Sequence, residues 1–219
     1  MSIGERLNRV LKTLPKGVRL VAVSKFHPAE RLQETYDAGQ RIFGESRPQE
    51  MTAKYEMLPK DIEWVMIGHL QTNKVKMIAP FVSMIASVDS ARLIEEIEKQ
   101  AAKFDRVVDI LLEVHVAKEE TKSGWEKEEL YDYLATDALK AMSHVRVRGI
   151  MTIATNTEDE AVVRRDFQTI QSIYEELKPR FGDAFDTLSI GMSDDYPLAL
   201  EYGSTMVRVG TAIFGAREY

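Results

Sequence analysis

A single lysine closes the first strongly apolar run of the chain, VAVSK, and this lysine is Lys25. A lysine at the end of a buried strand is partly desolvated, and desolvation favours the neutral amine over the ammonium ion. A neutral amine attacks carbonyl carbons, so this position favours Schiff-base chemistry. The alternative is a lysine whose stem packs along the strand while its ammonium group reaches solvent.

Two later motifs could together bind an anion such as a phosphate. In LSIGMSDDYPLALEYGS, Ser193 either caps a following helix or binds a phosphate at the start of that helix. In VRVGTAIFG, Gly210 lets the backbone approach a ligand closely, and Thr211 adds a hydroxyl group and an N–H.

Arg208 lies inside an apolar strand, two residues before the Gly210 turn. A guanidinium group is costly there unless something accepts its hydrogen bonds, and either a ligand or a structural ion pair would do so. His69 and His115 lie on different strands without a second histidine at metal-binding spacing. We therefore expect core or rim histidines and no metal site.

The segments that must position these residues are apolar, β-branched runs bounded by polar residues or glycine. Eight such runs recur, and helical spacing fills the segments between them. One of these helices is predicted to open with a capping box formed by Thr157 and Glu160. The eight runs begin at Arg19, Arg41, Glu63, Ser83, Val107, Val145, Thr187 and Met206.

Strands rich in Val, Ile and Leu that alternate with helices indicate a parallel sheet. Eight repeats in 219 residues predict one α/β domain, residues 1–219, folded as a (β/α)₈ TIM barrel with an extra helix in residues 1–14. The alternative, a doubly wound open sheet, normally has a glycine-rich loop after its first strand, whereas this strand ends in SKFHP. In a barrel the strands' carboxyl ends carry the chemistry, which would bring Lys25, Ser193, Arg208 and Gly210 to one face.

The amino-acid composition argues against several classes of function. The chain has no cysteine, which removes disulfides, thiolate metal sites and cysteine nucleophiles. Its net charge of −6 argues against nucleic-acid binding. No apolar run reaches the length of a membrane span and no signal core is visible, so we expect a cytoplasmic protein with no membrane partner.

The ordered motifs resemble the YggS/PROSC family of pyridoxal 5′-phosphate (PLP)-binding proteins, also called pyridoxal phosphate homeostasis proteins. The resemblance runs from about Leu7 to the C-terminus. Its motifs are VAVSKFHP, IFGESRPQE, WVMIGHLQTNK, EETKSGW, RGIMTIA and LSIGMSDDYPLALEYGSTMVRVGTAIFGARE.

The resemblance implies an alanine-racemase-type barrel whose cofactor is PLP. Lys25 would carry PLP as a Schiff base, Ser193 and the turn Gly210-Thr211 would hold its phosphate, and Arg208 would face the pyridine nitrogen. Two further positions of the family's motifs are counted among the cofactor-binding residues: Met151 in RGIMTIA and Ser46, which replaces the usual asparagine of FGEN. Lys122 in ETKSGW is a second candidate lysine, as a transfer site.

The family further implies a role in vitamin B6 homeostasis without robust catalytic turnover, with PLP-dependent apo-enzymes as candidate partners and a monomeric chain. An arginine on the pyridine nitrogen weakens the electron sink, and racemisation needs a second acid/base, which alanine racemases take from an additional domain. The alternatives are a small amino-acid racemase, or a Schiff-base enzyme such as an aldolase that uses Lys25 directly on its substrate.

Overall fold

The computed structural model describes residues 1–117 and 123–215, and it contains the eight predicted strands. All eight are parallel and pair in chain order, and the last pairs with the first, where Val21 lies opposite Arg208. The prediction of an eight-stranded parallel barrel is therefore confirmed. The strands are β1 Arg19–Val23, β2 Ile42–Glu45, β3 Glu63–Met66, β4 Met84–Val88, β5 Val108–Glu113, β6 Val145–Met151, β7 Thr187–Ser189 and β8 Met206–Val209.

Helices connect the strands and cover the outside of the barrel. The extra N-terminal helix is present as α1 Ile3–Leu11, and a capping box between Ser2 and Glu5 begins it. None of the helices within the two described ranges is long and apolar enough to cross a membrane. The remaining α-helices are α2 Ala29–Asp37, α3 Pro48–Met57, α4 Val75–Ile78, α5 Ala91–Ala102, α6 Lys127–Ala135, α7 Glu160–Phe181, α8 Tyr196–Glu201 and α9 Thr211–Phe214.

The core has two parts, because successive strand residues point alternately into the barrel and out toward the helices. The larger part lies between strands and helices and includes Leu20, Ala22 and Val207. The smaller part fills the barrel interior and consists of Val21, Val65, Met84, Ala86, Leu111, Met151 and Met206.

Two local predictions are wrong. The side chain of Asp159, not of Thr157, caps α7, and it accepts the Ala161 N–H at 3.0 Å. The last apolar run is not one strand, since β8 ends at Val209 and the following residues form α9. Short runs of β-branched and aromatic residues fit either a strand or a buried helix, so the pattern could not separate the two.

Candidate functional site

A cavity of about 230 Å³ opens at the carboxyl ends of the strands and gathers five of the seven predicted site residues. These five come from three separate stretches of sequence, and closure of the barrel through the β8–β1 pair brings them together. The cavity is lined by Lys25, Ser193, Arg208, Gly210 and Thr211, together with Val23, His27, Ile67, Ile153, Met192 and Asp194.

Lys25 sits in a tight turn directly after β1. The turn is closed by a hydrogen bond from the His27 N–H to the Ser24 carbonyl at 3.1 Å, and the Ser24 N–H donates to the Gly44 carbonyl of β2 at 3.0 Å. His27 is buried and stacks on Phe214, with ring centroids 4.8 Å apart. The Lys25 side chain, half-buried, thus stands on a short and well-bonded segment at the cavity wall.

The Ser193 loop lies on another side of the cavity. It begins at Gly191, whose φ of +92° is a left-handed conformation, and a Cβ there would lie 2.7 Å from the Cβ of Ala199. The hypothesis that Ser193 caps the next helix is wrong, because Asp195 holds the N-cap position of α8. Ser193 Oγ instead accepts the Gly210 N–H at 3.1 Å, which joins the two predicted anion-binding motifs.

The Gly210 turn passes close to β1. A Cβ at Gly210 would lie 3.1 Å from the carbonyl oxygen of Val23, so a side chain there would push the turn away from the strand that leads to Lys25. Thr211 follows as the first residue of α9. Thr211 therefore lines the same cavity as Ser193 and Lys25.

Arg208 is buried, and three hydrogen bonds fix its guanidinium group. Nη1 donates to the carbonyl and the Oγ of Ser189 at 2.8 Å each, and Nη2 donates to the carbonyl of Thr152 at 2.9 Å. A guanidinium group carries five N–H donors, so these contacts use only three of them. The wall of β6 and β7 orients Arg208, and the same side chain borders the cavity.

Electrostatics at this end of the barrel centre on Arg208. Burial lowers its pKa from 12.5 to about 10, and the carboxyl groups of Glu113 and Asp195 oppose that shift. Burial in turn raises the pKa of Glu113, against a hydrogen bond from Ser123. Burial also raises the pKa of Asp195, which accepts the Met192 N–H. Arg208 stays positively charged at neutral pH.

Two predicted site residues lie outside the described lining of the cavity. Met151 is fully buried in the interior cluster of the barrel, and Ser46 lies after β2, packed against Gly68. Their roles toward a cofactor stay predictions. Lys122 lies outside the residues that the structure describes.

The two rim histidines have separate polar partners. His69 Nδ1 lies 2.8 Å from Asp89 Oδ2, and His115 Nε2 lies 2.7 Å from the Ala117 carbonyl. Within the two described ranges no group of three or more His, Cys, Asp or Glu side chains could hold a metal ion.

The apolar residues of the cavity wall were not predicted from the sequence. Ile67 and Ile153 follow the carboxyl ends of β3 and β6, and Met192 follows Gly191 in the Ser193 loop. Their position just past the strand ends was an available indication, but apolar residues there look like a continuation of the core.

The fold is thus an eight-stranded parallel barrel in which Lys25 and the predicted anion-binding residues Ser193, Gly210 and Thr211 line one cavity. Residues 2–218 match the family model described as alanine racemase, N-terminal domain. Among solved structures, the alanine racemase from Streptomyces coelicolor A3(2) superimposes with a TM-score of 0.77 at 19% identity, over 98% of this chain and 58% of that one. At this identity the likeness concerns the fold.

Relatives that match this chain over most of their length identify a family within this class of barrel proteins. The pyridoxal phosphate homeostasis protein of Aquifex aeolicus (strain VF5) is 40% identical over 100% of both chains. That of Escherichia coli (strain K12) is 39% identical over 94% of this chain and 88% of its own. PipY of Synechococcus elongatus PCC7942, solved with PLP bound, is 37% identical with a TM-score of 0.90, over 98% of this chain and 100% of PipY. The chain belongs to the family of pyridoxal phosphate homeostasis proteins.

Proposed function

We propose that this chain binds PLP reversibly as a Schiff base on Lys25 and thereby contributes to intracellular vitamin B6 homeostasis. The observation that carries the proposal is the single cavity lined by Lys25 together with Ser193, Gly210 and Thr211. An amine and an anion-binding loop in one small cavity suit a ligand that has both a carbonyl and a phosphate group. The PLP bound to PipY supports the same conclusion.

The phosphate would be held by the Ser193 loop and the Gly210 turn. Ser193 Oγ already accepts the Gly210 N–H, so its own hydroxyl hydrogen is available to donate to a phosphate oxygen. Thr211, which lines the same cavity, would supply a second hydroxyl group. Gly191 and Gly210 allow these loops to approach closely, where side chains would meet neighbouring atoms.

PLP, when bound, supplies an electrophilic aldehyde carbon that condenses with a primary amine. Lys25 offers that amine from the turn after β1. Arg208 remains charged and is fixed by Ser189 and Thr152, so it would donate a hydrogen bond to the pyridine nitrogen and keep that nitrogen unprotonated. An unprotonated ring withdraws electrons weakly, which disfavours reactions through a substrate carbanion.

We therefore propose a carrier without robust turnover. The full-length relatives carry the name homeostasis protein, which is not the name of an enzyme. The alternative, a small amino-acid racemase, needs a second acid/base beside the substrate carbon. In the described lining it would have to use His27 or Asp194, of which His27 is buried against Phe214.

The proposal also includes the domain organisation, the oligomeric state, the cellular location and the partners of the protein. We propose that residues 1–219 work as one PLP-binding domain, as a monomer in the cytoplasm, and that PLP-dependent apo-enzymes receive the cofactor. Net charge −6 supports small-molecule and protein partners over nucleic acid.

The test is the visible spectrum of the purified protein with added PLP, followed by borohydride reduction and mass mapping of the modified lysine. We expect a pyridoxyl adduct on Lys25, its loss in Lys25→Ala, and its retention in the control Lys76→Ala on α4. The melting temperature of Lys25→Ala should stay within about 2 °C of wild type, because a half-buried turn lysine contributes little to the core.

Two results would contradict this proposal. An adduct that persists in Lys25→Ala would move the carrier lysine elsewhere, with Lys122 examined first. Racemisation of L-alanine by the loaded protein would overturn the carrier interpretation in favour of the racemase.

A further inference from the structure

An ionic cluster lies beneath the turn that carries Lys25, and it consists of the buried residues Lys54 and Glu45 and the half-buried Glu50. Lys54 and Glu45 are 4% and 0% exposed. Lys54 Nζ donates to Glu45 Oε1 at 2.7 Å, to Glu50 Oε1 at 2.7 Å and to the Ser24 carbonyl at 2.8 Å. An ammonium group has three donors, and all three are used.

The Lys54 cluster bonds the backbone on both sides of Lys25. On the preceding residue, the Ser24 carbonyl accepts from Lys54, and Ser24 Oγ donates to Glu45 Oε1 at 2.6 Å. On the following residue, the Phe26 N–H donates to Glu50 Oε1 at 2.7 Å. Lys54 joins these contacts, since both carboxylates converge on its Nζ atom.

The turn needs such support because its backbone is strained at Phe26. This residue has φ of +67°, a left-handed conformation that costs a side chain other than glycine roughly 1 kcal/mol or more. Phe26 is 45% exposed, so it gains little from burial, although the Arg47 guanidinium lies 4.8 Å from the centroid of its ring. The bond from the Phe26 N–H to Glu50 therefore helps to hold a strained peptide next to Lys25.

Stability alone is a poor explanation for the cluster. Buried ion pairs rarely stabilise a fold more than apolar residues of similar size would. Here Glu45 Oε2 is also buried without a hydrogen-bond partner in the part of the chain that the structure describes, which is a further cost. The contacts that the cluster does make are directed at the two neighbours of Lys25.

We propose that Lys54 is a positioning residue that, through Glu45 and Glu50, fixes the Lys25 turn so that the amine faces the cavity. The meaning of this role for aldehyde capture rests on the proposed function, whereas the anchoring of the turn does not. Lys54 itself would touch neither ligand nor reacting atoms.

The test compares Lys54→Met, which keeps the apolar stem, with Lys54→Met/Glu45→Gln, which also removes the carboxylate left unpaired. The matched control is Arg106→Met. Arg106 likewise donates to two backbone carbonyls, those of Ala79 and Val82 at 2.6 and 2.9 Å, but before β4 and β5 at the amino ends of the strands.

The first measurement is amide exchange by NMR in the protein without ligand. We expect the Phe26 and His27 amides to exchange about tenfold faster or more in both Lys54 variants than in wild type, and to be unchanged in Arg106→Met. If these two amides keep their wild-type rates in the double variant, Lys54 does not anchor the turn and the proposal is wrong.

The second measurement compares PLP with pyridoxine 5′-phosphate, which has the same phosphate but no aldehyde. We expect the PLP affinity of the double variant to fall about tenfold while the affinity for pyridoxine 5′-phosphate is unchanged, because the phosphate loops are untouched. Equal losses for both ligands would mean general damage and would overturn the positioning role. If wild type forms no adduct on Lys25, the proposed function fails, and the exchange rates still decide whether Lys54 anchors the turn.

Discussion

Replacing Arg208 with methionine tests both the stability and the chemistry of the cavity. Three hydrogen bonds from a charged donor contribute roughly 5–9 kcal/mol to the folded state. Burial lowers the pKa of Arg208 from 12.5 to about 10 although Glu113 and Asp195 oppose the shift, so desolvation offsets at least about 3 kcal/mol of this gain. The Ser189 carbonyl keeps a second donor, the Thr152 N–H at 3.3 Å. We therefore expect Arg208→Met to lower the free energy of unfolding by about 2–6 kcal/mol, with the lower end favoured because the Ser189 carbonyl keeps this donor.

Urea denaturation of the two proteins measures this difference directly. The matched control is Arg164→Met, because Arg164 also binds two carboxylates, those of Glu160 and Glu201 at 2.8 Å, but is 39% exposed. We expect the control to lose less than about 1 kcal/mol. Equal losses in the two variants would refute the argument that burial makes the Arg208 contacts strong.

The spectrum of the same variant tests the contact with the pyridine ring. Lys25 is unchanged in Arg208→Met, so the adduct with PLP should still form. The pH titration of its visible absorption should shift, because the ring nitrogen is then free to take up a proton. A titration identical to that of wild type would remove Arg208 from the ring nitrogen.

Two further predictions concern the phosphate and the Lys54 cluster. Ser193→Ala should weaken PLP binding about tenfold and leave the affinity for unphosphorylated pyridoxal unchanged, with the exposed Ser172→Ala on α7 as control; equal losses for both ligands would contradict a phosphate role. Burial raises the pKa of Glu45 from 4.5 to about 7, although Lys54 opposes the shift, so the folded state binds a proton that the unfolded state releases. From about pH 4.5 to 7 the stability of wild type should therefore fall relative to Glu45→Gln, by at most about 1.4 kcal/mol per pH unit, and parallel urea-denaturation profiles would exclude this titration.

The barrel was predictable because its strands are short apolar runs at regular intervals. Buried parallel strands need Val, Ile and Leu on both faces, and this composition is visible without any structure. The residues at which individual strands and helices begin and end were harder to predict from the sequence. The residues after Gly210 form α9 and not more of β8, since their helix depends on packing against α1 and not on local pattern.

The candidate site was predictable where a polar residue interrupts or ends an apolar strand, as Lys25 and Arg208 do. Ser193 does line the cavity, but it does not cap the following helix, and its role toward an anion stays a prediction. The loop between β7 and α8 is set by the left-handed Gly191 and by the Asp195 carboxylate, and neither shows its conformation in the sequence.

The burial of Lys54 could not be predicted from the sequence. A lysine on an otherwise amphipathic helix is ordinarily solvated, and its spacing of four residues from Glu50 is typical of an exposed ion pair. Only the packing of β2 against α3 brings Glu45 to the same ammonium group and buries both Lys54 and Glu45. A strand-end glutamate followed by a helical Glu-Lys pair was the available indication, and it does not distinguish a buried cluster from a surface one.

Lys54 and Arg208 are two buried cations that hold backbone segments near the cavity through the same kind of contact. Each is a buried cation that donates to at least one backbone carbonyl: Lys54 to that of Ser24, besides two carboxylates, and Arg208 to those of Ser189 and Thr152. A charge in a medium of low polarity forms strong and directional hydrogen bonds, but its desolvation offsets much of the gain in stability. The main effect of these hydrogen bonds is therefore to make the bonded segments rigid. A protein that captures a reactive aldehyde needs its amine held at a fixed distance from its phosphate loop. The two cations fix the segments that carry Lys25 and border the Ser193 loop, so the cavity is organised before any ligand enters.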